Sequence, residues 1–191
     1  MQAQFKYITP DQYLKLELES DFRHEYIAGQ VYAMSGTSKK HNIIAGNIYM
    51  TLRIHLREKG CQVFMSDMKA KIESLDIFYY PDVLVTCNSE DREKFFIKYP
   101  CLIVEVISPS TARIDRNEKL YNYRQLESLQ EYVIVSQEQM RVEIYRKNNQ
   151  NDWNKEMINN EGVINLQSVG LSTTMAAFYE DIEIIIGEQE G

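Results

Sequence analysis

The chain has 191 residues, 44% of them hydrophobic and 26% charged, with a formal net charge of −7. That composition is globular, long enough for one substantial core, and too acidic to coat nucleic acid by charge alone. No apolar run reaches the roughly 18–20 residues that a membrane-spanning helix needs, and the opening MQAQFKYITPDQ lacks the apolar segment of a signal peptide. The charge is uneven, however. Residues 36–75 carry seven Lys/Arg against three Asp/Glu, a net of +4, which leaves −11 for the rest. Cys61, Cys87 and Cys101 are odd in number and form no C-x-x-C pair. They are expected to be reduced thiols in or beside the core of a cytoplasmic protein.

No repeat, low-complexity tract or Gly/Ser linker divides the chain, so residues 1–191 are expected to form one domain. In TPDQYLKLELES, Thr9 suits an N-cap and Pro10 the first helical position. HEYIAGQVYAM predicts a hairpin turning near Ala28-Gly29. A long helix is expected over 38–59, where Ile44, Ile48 and Leu52 recur four residues apart and Gly60 follows as a stop. His41 and His55 fall on its apolar side, with His41 in the first turn. Strands are expected over 61–72, 78–87 and 101–108, with the charged NSEDREKFFIKYP as a surface loop. A second helix is expected over 114–127, a strand over 131–137 and a hairpin turning at Asn148–Asn151. The remainder from 163 is weakly patterned, with an acidic end prone to fray. Long helices alternating with apolar strands predict an α/β fold with a mixed sheet.

The strand CLIVEVISPS carries an acid, Glu105, among Leu102, Ile103, Val104, Val106 and Ile107. An unpaired carboxylate in such a place costs several kcal/mol or more, so a partner, a proton or a metal is expected. Alternation puts Glu105 on the face of Ile103 and Ile107, and Asp82 on the face of Tyr80, Leu84 and Thr86. If the two strands pair, the carboxylates lie side by side and repel unless a cation sits between them. Mg²⁺ is commonly held by one or two carboxylates plus water and phosphate oxygens.

Asp82 after Pro81, followed by Glu105 in E-V-I, resembles the PD-(D/E)XK nuclease signature. The longer stretches YYPDVLV, LIVEVISPST and IDRNEKLYNYRQLESLQEYVIV, with MSGTSKKHNII, resemble the bacterial Uma family of restriction-type endonucleases over roughly residues 8–182. A second Pro-Asp, Pro10-Asp11, reads simply as a helix start. The resemblance implies a restriction-endonuclease-like core, a mixed β-sheet flanked by helices, with an additional β-hairpin region. It implies Mg²⁺ (or Mn²⁺) held by Asp82, Glu105 and the backbone carbonyl of Val106, and hydrolysis of DNA phosphodiester bonds by metal-activated water. The lysine of the signature, two residues after the acid, is Ile107 here. Lys119 of the following helix is the substitute the family implies, to orient water or neutralise phosphate. His41, in the first helical turn, is a candidate fourth catalytic residue. Glu25, Asp115, Arg113 and Arg116 are candidates for support. Against this stand duller assignments: Glu105 as an acid satisfied by a neighbour, Lys119 as an i,i+4 partner of Asp115, His41 and His55 as core histidines. The competing functional readings are a catalytically weak or inactive nuclease-fold module that binds nucleic acid or a partner protein, and a hydrolase of small phosphorylated molecules. Cutting two strands favours a symmetric homodimer, with 140–158 as a candidate interface.

Overall fold

Two segments that read as single strands in the sequence are each broken in the middle, and those breaks shape the molecule. The computed structural model describes residues 7–184. Helix α1 (Pro10–Glu19) starts as expected: the Thr9 hydroxyl accepts from the Gln12 N–H, and the Gln12 side chain accepts from the Thr9 N–H. This reciprocal pair satisfies two donors that a helix start leaves open. Strands β1 (His24–Ile27) and β2 (Gln30–Ala33) form the expected hairpin, turned by Ala28 and Gly29 at φ 44° and 93°. Two positive φ values give the turn the hand that suits strand twist. Helix α2 (Lys39–His55), capped by Ser38, ends short of the expected 59. Glu58 and Gly60 adopt φ 67° and 73°, outside the helical basin.

The expected strand over 61–72 is two strands, β3 (Gln62–Met65) and β4 (Lys69–Ile72), separated at Ser66, which takes φ 54°. The expected strand over 78–87 is likewise two, β5 (Ile77–Tyr79) and β6 (Val83–Thr86), interrupted at Tyr80-Pro81-Asp82. Pro81 has no N–H to give a ladder. Next come β7 (Phe96–Ile97), inside the segment expected to be a loop, and β8 (Leu102–Ile107). The second helix is three pieces: α3 (Ala112–Ile114), a π-helical turn (Asp115–Lys119) and α4 (Leu120–Tyr123). Strands β9 (Glu131–Ser136), β10 (Arg141–Lys147) and β11 (Trp153–Asn159) match expectation. The weakly patterned remainder folds into the hairpin β12 (Val163–Leu166) and β13 (Leu171–Thr174), followed by α5 (Met175–Phe178). The acidic end expected to fray falls largely on 185–191, outside the described residues.

Strands order as β2-β1-β5-β4-β7 in one sheet and β11-β10-β9-β8-β6-β3 in a second, with β12-β13 as a third of two strands. The second is mixed: β8 and β9 run parallel, and β6 pairs antiparallel with β8. The chain passes between the sheets twice at one level, from β3 to β4 and from β5 to β6, and the Ser66 N–H donates to the Asp82 carbonyl at 3.0 Å. Asp82 therefore sits in the seam. Helix α2 lays Ile44, Ala45, Ile48 and Leu52 on the sheet face formed by Val83, Val85, Val104, Val106 and Val133. The opposite face, with Leu84, Ile103, Ile107 and Tyr132, lies beneath Leu120, Tyr123, Leu126 and Leu129. Both faces of β8 are covered, and all six of its residues are buried, which is why its sequence is continuously apolar apart from Glu105. His55 Nε2 lies 3.0 Å from the Val169 carbonyl.

The cysteine expectation needs correction. Cys61 and Cys87 form a disulfide. They flank the cross-strand pair Gln62↔Thr86 of β3 and β6, with Cα atoms 4.0 Å apart. Strand register makes them neighbours across a sequence separation of 26 that no local motif reveals. Cys101 is a free thiol, pushed up to about 11 by burial.

Candidate active site

Strand pairing brings the two acids together. In the register of β6 and β8, Val83 lies opposite Val104, so Asp82 falls next to Glu105. The Asp82 N–H lies 3.4 Å from Glu105 Oε2, and the Val106 N–H donates to Asp82 Oδ2 at 2.7 Å. The pair is thus clipped by backbone as well as by strand alternation.

Lys119 reaches the pair from the π-helical turn. Its Nζ lies 3.0 Å from Glu25 Oε1, 3.2 Å from Glu105 Oε1 and 3.7 Å from Asp115 Oδ1. It also lies over the Tyr79 ring. A π turn widens the spacing of a helix and occurs often at functional sites. Asp115 and Lys119 are both buried, so the turn delivers two ionisable side chains to one interior point. Glu25 arrives from β1, in the other sheet, which is possible only because the sheets meet at this seam.

His41 enters from the first turn of α2, with Nε2 3.1 Å from Asp82 Oδ2. Ser38 fixes that helix start: its hydroxyl accepts the His41 N–H at 3.1 Å and donates to Gln137 Oε1 at 2.6 Å. The structure therefore gathers Asp82, Glu105, Lys119, His41, Glu25 and Asp115. Two candidates stand outside. The Arg116 guanidinium is committed to Glu143, with Nη2 2.7 Å from Oε1. Arg113 is exposed on α3. Tyr123 is a participant that residue-by-residue reading passed over. Its hydroxyl donates to Glu105 Oε1 at 3.0 Å, and the available signal was its place four residues after Lys119, on the same helix face.

The electrostatics are those of a site short of positive charge. Burial pushes Glu105 well above the ordinary carboxylate range; Lys119 opposes this, while Asp82, Asp115 and Glu25 add to it. Burial also raises Asp115, again against the pull of Lys119. Burial disfavours the Lys119 ammonium, but Glu105, Glu25 and Asp115 outweigh it and hold its pKa well above the usual lysine value. Burial disfavours the His41 imidazolium too, yet Asp82 and then the backbone of Val106 raise its pKa.

The donor set fits a hard divalent cation. Among the described residues, no group of three or more His, Cys, Asp or Glu side chains is gathered to hold a metal by itself. Two adjacent carboxylates would leave coordination positions for water and substrate, as Mg²⁺ prefers and structural Zn²⁺ does not. Burial is the main cause of the raised Glu105, Asp82 adds to it, and a cation between the two carboxylates would relieve that added share.

Comparison with known proteins agrees with this architecture. Two uncharacterized proteins of Synechocystis sp. are similar to the chain. One is 37% identical over 181 residues, 94% of this chain and 95% of that protein. The other is 32% identical over 154 residues, 79% and 87% of the two chains. Among solved structures, a "putative nuclease belonging to DUF820" from Anabaena variabilis superposes with a TM-score of 0.74, covering 90% of this chain and 97% of that one. At 18% identity the likeness is one of fold. Residues 10–176 match the Uma2 family model, described as "Putative restriction endonuclease". The chain belongs to the Uma2 family, and its fold is restriction-endonuclease-like.

Proposed function

We propose that this chain is a Mg²⁺- or Mn²⁺-dependent endonuclease that hydrolyses DNA phosphodiester bonds. The observation that carries the reading is the placement of Lys119 Nζ 3.2 Å from Glu105 Oε1, beside the Asp82–Glu105 pair. It supports Lys119 as the substitute for the lysine missing at Ile107. Asp82, Glu105 and the Val106 carbonyl would hold the cation, whose bound water has a lowered pKa and whose charge stabilises a phosphoryl oxygen. Lys119 would orient the attacking water or neutralise the phosphate. Asp115 and Glu25 hold the ammonium in place, and His41 holds the Asp82 carboxylate. Arg113, being exposed, is offered as a phosphate contact. Arg116 acts only through the Glu143 tether. The reading takes DNA as substrate, a homodimer as working unit and the cytoplasm as location.

The test is cleavage of supercoiled plasmid with Mg²⁺ or Mn²⁺, alongside calorimetric Mn²⁺ binding. Glu105→Ala should abolish both, and Lys119→Ala should abolish cleavage while the metal still binds. A Glu105→Ala protein that cuts at the wild-type rate would overturn the assignment. A second reading, a nuclease-fold module that binds nucleic acid or a protein without cutting, is favoured by one feature. Three carboxylates within 4 Å of Lys119 restrain its ammonium. Cleavage lost on Lys119→Ala excludes that reading. A hydrolase of small phosphorylated molecules is the third, separated by competition between oligonucleotides and small phosphate esters.

A further inference from the structure

A half-satisfied amide stands at the start of α2. Gln137 directly follows β9, and its N–H donates to the Ile107 carbonyl at 3.2 Å, one step past the last pair of the parallel β8–β9 ladder. It therefore sits at the carboxyl ends of two parallel strands, where open α/β sheets gather their ligands. Gln137 is only 7% exposed, and its Oε1 accepts the Ser38 hydroxyl at 2.6 Å. Its Nε2 is bonded to the same carbon as Oε1, so the amino group lies at the helix start as well. That group donates to no acceptor among the described residues, and it is not one of the side-chain atoms sealed from solvent. Ser38 accepts the His41 N–H, which leaves the N–H groups of Lys39 and Lys40, the first two residues of α2, without a partner in the helix. Ser38 and Lys39 are exposed, so the helix start is open to a ligand. Buried polar groups are as a rule fully hydrogen-bonded. A buried amide with a spare donor beside two free N–H groups is a place built for an acceptor.

We propose that the first turn of α2 and the Gln137 amide together bind a phosphate of a nucleic-acid backbone. The N–H groups of Lys39 and Lys40 and the Nε2 of Gln137 donate to its oxygens. A helix start favours an anion through its aligned dipoles as well as its free donors. The choice of a nucleic-acid phosphate over another anion rests on reading the carboxylate cluster as a nuclease site. The same helical turn carries His41, whose Nε2 lies 3.1 Å from Asp82 Oδ2. An anion held at Gln137 is thus a neighbour of the pair that would hold the cation, as one phosphate of a strand is of the next. Charge agrees: residues 36–75 carry a net of +4 in a chain whose total is −7. Donors of this kind fix the register of a strand without reading its bases.

Two substitutions separate this role from a merely structural one. Gln137→Glu keeps an oxygen for the Ser38 hydroxyl and puts a second, negative oxygen where the amino group was. Gln137→Met keeps the bulk and removes both. A fluorescein-labelled duplex 20-mer is titrated by anisotropy in EDTA and in Ca²⁺, at several salt concentrations and at about pH 8, where an introduced carboxyl ionises. Gln137→Met should weaken binding about tenfold, the share of one hydrogen bond to a charged group. Its salt slope should equal that of the wild type, because no charge is removed. Gln137→Glu should be weaker still, by about 100-fold, because like charges then face each other. If Gln137 only anchors Ser38, Gln137→Glu binds as the wild type does and Gln137→Met is the weakest; that order overturns the proposal. So does a wild type that binds no duplex under either condition, or inorganic phosphate that displaces the duplex as well as unlabelled duplex does at equal ionic strength. Thermal unfolding identifies any folding defect, and if Gln137→Glu does not fold, unchanged affinity in Gln137→Met overturns the proposal alone. Duplex binding that depends on Gln137 in a protein that cuts nothing with Mg²⁺ or Mn²⁺ would sink the nuclease reading and leave this one standing. A metal-dependent nuclease whose Gln137→Glu variant binds and cuts as the wild type does would sink this one alone.

Discussion

Lys119→Met isolates what the lone ammonium does for the fold as distinct from the chemistry. Its Nζ lies between Glu25, Glu105 and Asp115 at 3.0, 3.2 and 3.7 Å, with 11% of the side chain exposed. Removing one partner of a buried ion pair typically costs about 3–5 kcal/mol, because the remaining charge is left unsolvated. In a domain of this size that is a fall in Tm of roughly 6–20 °C. The loss must depend on pH. Glu105 and Asp115 are already above the ordinary carboxylate range through burial, and both lose the cation that opposes it. An acid whose folded pKa exceeds its unfolded value binds more protons when folded. Its penalty is absent below the unfolded value, near about 4, and grows as pH rises through the folded value. The gap between variant and wild type should therefore be widest near about pH 8 and narrow toward about pH 5. Mn²⁺ should restore part of the lost stability by binding the folded state only. Urea unfolding across that pH range, with and without Mn²⁺, is the assay. A variant within about 1 kcal/mol of wild type near neutral pH, or a gap that does not change with pH, would refute the charge accounting.

Other substitutions separate the parts. Glu105→Gln removes a buried charge that the fold disfavours, so at neutral pH its Tm should equal or exceed that of the wild type while calorimetric Mn²⁺ binding disappears. Tyr123→Phe deletes only the hydroxyl that donates to Glu105, and should weaken Mn²⁺ binding by about 10–100-fold with the fold intact by circular dichroism. Glu131, fully buried, holds Arg146 and the backbone N–H groups of Gln167 and Ser168; Glu131→Ala should cost about 3–5 kcal/mol in urea unfolding and loosen the β12–β13 hairpin in hydrogen exchange. Reducing the Cys61–Cys87 disulfide reopens a loop of 26 residues and should lower stability by about 3 kcal/mol. Cys61→Ser should reproduce that loss without reductant.

The site was legible in the sequence wherever one element fixed the outcome, and illegible where two elements meet. Glu105 announced itself because an acid in a strand covered on both faces contradicts its surroundings. Lys119, Asp115 and Tyr123 share a helix face by spacing alone, though not the π turn that aims the first two inward. The two strand breaks are what local reading missed. CQVFMSDMKAKI and FYYPDVLVTC are β-rich on both sides of short interruptions at Ser66-Asp67 and Pro81-Asp82, so the flanking pattern runs each on as a single strand. Pro81 hinted at the second break, whereas the first falls at Ser66, which takes φ 54° and donates its N–H to the Asp82 carbonyl. These breaks have a chemical consequence. Were β5 and β6 one straight strand, Asp82 would be an interior ladder residue of a single sheet and β1 would lie outside reach. Because the chain changes sheets at Tyr80-Pro81-Asp82, the end of β6 opens toward β1, and Glu25 joins Lys119 across the seam. Three carboxylates, from two sheets and one helix, then share one lysine, and burial raises Glu105 instead of ionising it cheaply. An apolar strand tolerates an acid at that point because the fold assembles a demand for cations there, which Lys119 meets in part and a divalent ion would complete.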